Sequence, residues 1–177
     1  SNLSSIDVAI DGALTVKGNI RAEEGTLSLQ SGDAISVTGS VYGKNSITAN
    51  AGESLSITNT TGSAVFASSC TEVSLAAQNG NLTVSGTGTS SACGIYGSTD
   101  NSGGTALKLH ASGNVSVTGT QYSMRGTALE LSGTIPEDST LTAYWVDSMT
   151  VPAGKTLINN GTIKLDKYPG SVTVSGT

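Results

Sequence analysis

Five segments of this chain share one short pattern and recur at intervals of about twenty residues or slightly more. In each segment an apolar residue is followed by Ser or Thr, a second apolar residue, a polar residue, and then Gly or Asn. The segments are 14–18, 35–39, 55–59, 82–86 and 115–119. Their first residues lie 21, 20, 27 and 33 positions apart. Self-similarity at such a period is typical of stacked supersecondary units, so this repeat governs what the chain can fold into.

We name this segment strand b. In each repeat it is accompanied by two further strand patterns, strand a before it and strand c after it. Both alternate apolar and polar residues, which places the apolar side chains on one face of a strand. Strand a carries the apolar pairs Ile6/Val8, Leu27/Leu29, Ile47/Ala49, Val73/Leu75, Leu107/Leu109 and Leu129/Leu131. Strand c covers 20–22, 41–43, 65–67, 95–97 and 124–126. Three short strands per turn predict an all-β fold, a right-handed, single-stranded parallel β-helix (β-solenoid).

Composition and corner residues favour the same architecture. Charged residues make up 12% of the chain and aromatic residues 4%, with 23 glycines, which is typical of an all-β chain rich in Ser and Thr. Strand b closes on Gly or Asn, which we expect to supply a positive φ at the corner. We expect β-helix coils over 1–133, and irregular final coils over 134–177 that cap the same domain, because the one Trp and all three prolines fall there.

The charge and hydropathy of the chain argue against two classes of partner. The formal net charge is −5 and the eight basic residues are scattered, whereas nucleic-acid binding needs clustered Lys and Arg. No stretch is apolar and long enough to span a bilayer, so we expect no membrane insertion. Both ends of the sequence fall within the repeat pattern, so we expect the segment to come from a longer protein.

Cysteine and metal chemistry receives little support. Cys70 follows strand c of one coil and Cys93 precedes strand c of the next, which separates them too far for a disulfide unless the intervening loop folds back. Two cysteines and the single His110 do not make a zinc site. Asp100 and Asn101 begin a stretch that resembles an oxygen-rich calcium loop, but it lacks further acidic ligands. The sequence therefore predicts no cofactor, and calcium at this loop is the one candidate left open.

The outward positions of the strands do not predict catalysis. Polysaccharide lyases and hydrolases of this shape need carboxylates and basic groups stacked on neighbouring coils. Lys108 and Glu130 are expected to be neighbours that form a weak surface ion pair. We expect no two carboxylates to share a face with a base, and we expect His110 at the surface without a partner. Strand b displays two Ser/Thr columns that resemble the arrays of ice-binding solenoids, but their spacing is irregular. We therefore expect no enzyme and treat ice binding as less supported.

One column of strand c is the strongest candidate for a binding site. Tyr42, Phe66, Tyr96 and Arg125 occupy equivalent positions in successive coils. If they point outward, they form a stacked aromatic strip that ends in a cation and suits sugar rings or an apolar partner surface. If they point inward, they fill the core. Alternation favours the outward arrangement, and the loop 98–105, which contains Asp100 and Asn101, is the second candidate contact region.

The coil units Gly94–Gly97, Asn81–Gly86 and Thr105–Leu109 resemble those of secreted bacterial parallel β-helix repeat proteins of the surface-adhesin and carbohydrate-binding type. The later units 151–157 and 159–163 are similar to segments common in large surface proteins. This resemblance implies a secreted or cell-surface setting and contact with a host or cell-surface glycan or protein. We therefore expect a non-enzymatic adhesion or display module, with a polysaccharide-binding module as the alternative.

Overall fold

A computed structural model describes residues 5–99, 103–167 and 170–175, the last of these as backbone only, and all regular structure in these ranges is β. Within these ranges no helix is long and apolar enough to cross a membrane. The strands of the first four repeats are β1 (Ile6–Ile10), β2 (Leu14–Lys17), β3 (Ile20–Ala22), β4 (Thr26–Ser31), β5 (Ile35–Thr38), β6 (Val41–Gly43), β7 (Ser46–Ala51), β8 (Leu55–Asn59), β9 (Val65–Ala67), β10 (Glu72–Ala77), β11 (Leu82–Gly86) and β12 (Cys93–Gly97). The later strands are β13 (Ala106–Gly119), β14 (Tyr122–Arg125), β15 (Ala128–Ile135), β16 (Thr140–Tyr144), β17 (Ser148–Thr150), β18 (Leu157–Asn159), β19 (Thr162–Lys167) and β20 (Gly170–Ser175).

The strands of successive repeats pair parallel with one another, in register apart from a shift between β13 and β15 after His110. In the first column Leu27 of β4 lies between Ile6 of β1 and Ile47 of β7. The second column pairs β2, β5, β8 and β11 with the end of β13, and the third pairs β3, β6, β9, β12, β14, β16 and β19. The predicted all-β class and parallel in-register pairing are confirmed. The arrangement is consistent with a parallel β-solenoid.

The apolar core lies between the three columns because alternation turns every second side chain inward. Ile35 and Val37 of β5 are 1% exposed, whereas Ser36 between them is exposed. The first repeat differs. Its apolar residues pack on the core but stay only partly buried, since no described strand covers their outer side; they include Ile6, Val8, Leu14, Val16 and Ile20.

The column pattern continues beyond residue 133, where the sequence pattern becomes irregular. Strand β15 extends to Ile135 and pairs with both β17 and β18, and β16 pairs with β19. Strand β20 then runs antiparallel to β19, which is the one reversal among the named strand pairs that the structure describes. The predicted division of the chain at residue 133 remains a prediction.

Glycine closes strand b for two different physical reasons. Gly18 and Gly39 adopt φ values of +117° and +145°, as the corner chemistry predicts. The expectation of a positive φ is wrong for Gly86, Gly119 and Asn59, which do not have one. At Gly86 and Gly119 a Cβ atom would collide with the backbone carbonyl of the following strand c. The glycine is needed there for close backbone approach.

Candidate functional site

The residues predicted to form the aromatic strip do form it, on the outer face of the third column. Register pairs Tyr42 with Phe66, Phe66 with Tyr96, and Tyr96 with Arg125. Phe66 is 36% exposed, while its neighbour Val65 is fully buried. The inward alternative is therefore wrong, because the aliphatic residue of each strand fills the core instead.

The three rings stack face to face along the column. The Tyr42 and Phe66 centroids lie 6.0 Å apart with an interplanar angle of 24°, and those of Phe66 and Tyr96 lie 5.0 Å apart at 4°. The guanidinium carbon of Arg125 lies 4.4 Å from the Tyr96 centroid. Such offset-stacked and cation–π contacts are each favourable by about 0.5–1.5 kcal/mol. The strip therefore stabilises the parallel stacking of its strands as well as presenting a surface.

A further cation that the sequence analysis did not single out closes the other end of the strip. Arg21 of β3 pairs in register with Tyr42, and its guanidinium carbon lies 4.6 Å from the Tyr42 centroid. We name the residues Arg21, Tyr42, Phe66, Tyr96 and Arg125 the aromatic column. Because each ring face is covered by a neighbour in this column, the rings present their edges, and the tyrosines also their hydroxyl groups, to solvent.

A groove runs beside the aromatic column over successive repeats. The column forms one wall, and the turns between strands b and c form the other. The groove volume is about 540 Å³. The polar side chains of the second wall are Ser40, Asn59, Ser63, Thr89, Ser91 and Gln121. Four strand spacings of about 4.8 Å separate Arg21 from Arg125, so the groove extends over about 19 Å.

Local hydrogen bonds fix the middle of the second wall. The side-chain oxygen Oδ1 of Asn59 accepts hydrogen bonds from the backbone N–H and the hydroxyl of Thr61, at 3.1 and 2.9 Å. Its amide nitrogen donates to the Ser63 carbonyl at 2.9 Å. By contrast, the side chains of Ser40, Ser91 and Gln121 have no hydrogen-bond partner among the residues described in the structure. These three groups are available to a ligand, and the turn between them is preorganised.

The two arginines of the chain both lie in this groove, but their charges are balanced differently. Arg21 Nε donates to Glu23 Oε1 at 2.7 Å, and this hydrogen bond raises the pKa of Arg21. Arg125 Nη2 donates to Thr99 Oγ1 at 3.3 Å. Within the described part of the chain Arg125 has no ion pair, and its Nε is buried without a hydrogen-bond partner. Arg125 is thus the less compensated of the two cations.

A second polar cluster on the outer face of the first column corrects two sequence expectations. His110 does have partners, because its Nδ1 lies 3.0 Å from Ser132 Oγ and its Nε2 lies 3.0 Å from Glu130 Oε1. Lys108 is the register neighbour of Glu130, as predicted, but its ion pair is with Glu72 at 2.7 Å. The expectation that no two carboxylates share a face with a base is therefore wrong.

This cluster nevertheless lacks the features of a nucleophilic site. Ser132 is only 2% exposed, so its hydroxyl is covered rather than presented to a substrate. The adjacent Gly133 N–H donates to the Thr156 carbonyl at 2.9 Å and is therefore not available to stabilise an oxyanion. The carboxylates of Glu72 and Glu130 are each engaged by a neighbouring side chain. The contacts fit a network that ties β10, β13 and β15 together.

Two predicted contact residues, Asp100 and Asn101, lie outside the described residues, and so does the calcium site predicted there. Within the described ranges no group of three or more His, Cys, Asp or Glu side chains is placed to hold a metal ion. Cys70 and Cys93 are both free and buried. The aromatic column and its groove are therefore the candidate functional site.

No protein-family model, curated protein or solved structure matches this chain.

Proposed function

We propose that this chain is a right-handed parallel β-helix with three strands per coil that acts as a non-enzymatic module of an extracellular bacterial surface protein. Its role is adhesion through contact with an extended glycan, which lies in the groove beside the aromatic column. The observation that carries the proposal is an open groove of about 19 Å that combines aromatic edges with neutral hydroxyl and amide groups. The right-handed coil follows from the handedness of parallel crossover connections.

The chemistry of the groove suits a polyhydroxylated chain. A Ser hydroxyl both donates and accepts, and a Gln amide offers two donors and an acceptor. Ser40, Ser91 and Gln121 precede β6, β12 and β14, which belong to three different repeats, so such groups recur along the groove. A sugar polymer also repeats its hydroxyl groups along its length. Matching of two repeating structures favours an extended ligand over a compact one.

The stacking geometry defines how sugars contact the column. Because the ring faces of Tyr42, Phe66 and Tyr96 are covered by one another and by the arginines, a sugar ring does not lie flat on them. It instead contacts ring edges and tyrosine hydroxyls. Part of the binding free energy then comes from hydrogen bonds, which favours selectivity for the arrangement of the sugar hydroxyl groups.

Other ligand classes fit less well. A peptide that adds to a sheet needs an unpaired strand edge, whereas β6, β9 and β12 beside the groove are each paired on both sides. Nucleic acid requires a row of cations, and the groove has two arginines, one of which is paired with Glu23. The proposal of a non-enzymatic role is supported by the covered hydroxyl of Ser132.

A glycan array followed by titration calorimetry tests the proposal. The Tyr42→Ala, Tyr96→Ala double variant removes two members of the column, and we expect it to bind at least tenfold more weakly than the parent chain. Tyr122→Ala is the matched control, because Tyr122 stacks on Tyr144 at 4.3 Å in the same sheet but does not line the groove. Glycan binding that persists in the double variant, or an absence of binding to any glycan by the parent chain, contradicts the proposal.

A further inference from the structure

Both arginines of a chain with net charge −5 lie in one groove, at the two ends of one column. The other basic residues are six lysines, none of which lines this groove. Among the described residues no carboxylate side chain lines it either, although acidic residues outnumber basic ones by 13 to 8 in the sequence. The groove is therefore locally positive on a molecule that is negative overall.

The positive charge of Arg125 is not balanced by any side chain in the described ranges. Its guanidinium lies over Tyr96 at 4.4 Å and near Tyr144 at 5.8 Å. Among the described residues its hydrogen-bond contact is a neutral one, from Nη2 to Thr99 Oγ1, and its Nε is buried without a partner. Partial removal of a cation from water is unfavourable, and cation–π contacts offset only part of that cost. A negatively charged group on a ligand would balance the remaining positive charge of Arg125.

Arg21 at the other end does not have the same deficit. Its guanidinium is held by Glu23 through contacts of 2.7 and 3.5 Å, and both side chains are about half exposed. An exposed ion pair of this kind contributes little and is screened by salt. Arg21 can still contact a ligand, but it carries less uncompensated charge than Arg125. The two ends of the groove are therefore electrostatically unequal.

We propose that the groove selects acidic glycans, with the Arg125 guanidinium pairing with a carboxylate or sulfate group of the sugar chain. This inference rests on the proposed glycan-binding function and specifies the ligand class. The planar guanidinium presents parallel N–H donors, which match two oxygens of a carboxylate or sulfate. Stacking on Tyr96 holds the plane of the guanidinium. The rest of the acidic protein repels such a ligand at long range, but physiological salt screens that repulsion beyond about 8 Å.

The test compares three oligosaccharides of equal length by titration at about 0.15 M salt: a neutral glucan, a uronate polymer fragment and a sulfated fragment. We expect at least one of the two acidic ligands to bind at least tenfold more tightly than the neutral glucan. Comparison of the uronate fragment with the sulfated fragment identifies which anionic group is preferred. Arg125→Gln is expected to bring the acidic and neutral affinities within about twofold of each other. The matched control is Lys17→Gln, which removes one positive charge at an exposed position of β2 outside the groove.

Arg125→Lys gives a second measurement that does not depend on the fold tolerating a neutral side chain. It keeps the charge but not the planar donor array, so we expect the preference for the acidic ligands to fall to an intermediate value. An unchanged acidic-to-neutral ratio in Arg125→Gln or Arg125→Lys contradicts the inference. Equal binding of neutral and acidic ligands by the parent chain contradicts the inference while leaving the glycan-binding function standing. Binding of none of the three contradicts the inference, and the glycan array then decides whether the glycan-binding function stands.

Discussion

Cys70 shows how one buried side chain can make the fold sensitive to alkaline pH. Its Sγ donates to the Gly43 carbonyl at 2.9 Å, which requires the protonated thiol. Burial raises the pKa of the Cys70 thiol from 9.0 to about 11. The folded state thus holds this proton more tightly than the unfolded chain does. The associated stabilisation is complete below pH 9 and is lost as the pH rises through about 11.

We expect the free energy of unfolding of the parent chain to fall more between pH 9 and 11 than that of a Cys70→Ala variant. Urea unfolding at several pH values measures both slopes. Lysines and tyrosines also titrate in this window, but they are common to the two proteins, so their effect cancels in the comparison. Parallel pH profiles for the two proteins would contradict the assignment of the loss to Cys70.

For individual residues, the sequence predicted well which way a side chain points and poorly which side chain it contacts. Alternation correctly placed Tyr42, Phe66 and Tyr96 outward. Arg21 holds the equivalent position one repeat earlier, so the pattern Ile20-Arg-Ala22 is sufficient to place it in the column, although it is not aromatic. The contact of His110 with Glu130 was less accessible, because it depends on side-chain rotamers across a diagonal of the sheet.

The turns between strands b and c depend on close backbone approach more than on backbone conformation. At Gly119, which has no positive φ, a Cβ would collide with the Tyr122 carbonyl and crowd the backbone of Cys93 and Gly94. Backbone atoms of paired strands cannot move aside cheaply. We expect Gly119→Ala to lower the free energy of unfolding by about 1–3 kcal/mol or more.

Gly12→Ala is the matched control for this prediction, because a Cβ there meets nothing within 4 Å and its φ is not positive. We expect that change to lie within about 0.5 kcal/mol of the parent chain. Chemical unfolding of the two variants measures the difference. Equal stability of Gly119→Ala and Gly12→Ala would show that the turn relaxes to admit a methyl group.

The elements differ in how far the sequence could predict them. The register of the three columns followed from period-two alternation, since a slip of one residue would turn every apolar side chain outward. Strand β13 was not predicted as one continuous strand of residues Ala106–Gly119. Its middle, residues 111–114, has weak strand propensity, but the pairs of Ala111 with Ala77 of β10 and of Asn114 with Thr134 of β15 tie its two ends to neighbouring strands across a register shift. Pairing between repeats here outweighs local preference.

For the molecule as a whole, both the core and the groove are products of stacking. No single repeat contains the site, since each repeat contributes one member of the aromatic column. Stability in such an array is approximately a sum of repeat and nearest-neighbour terms. The groove is therefore as stable as the contacts between the repeats that form it, and its first member, Arg21, belongs to the least covered repeat.

That asymmetry predicts a gradient of stability along the stack. Val16 and Val37 are register partners in adjacent strands b, but Val16 is only partly buried whereas Val37 is 1% exposed. Loss of two methyl-sized groups from a fully buried site costs at least about 1.6 kcal/mol, with a cavity term added. We expect Val37→Ala to reach that value and Val16→Ala to cost about half as much. Amide hydrogen exchange should likewise be faster in β2 than in β5 and β8. Uniform protection across these three strands would mean that the first repeat is held as firmly as the interior ones.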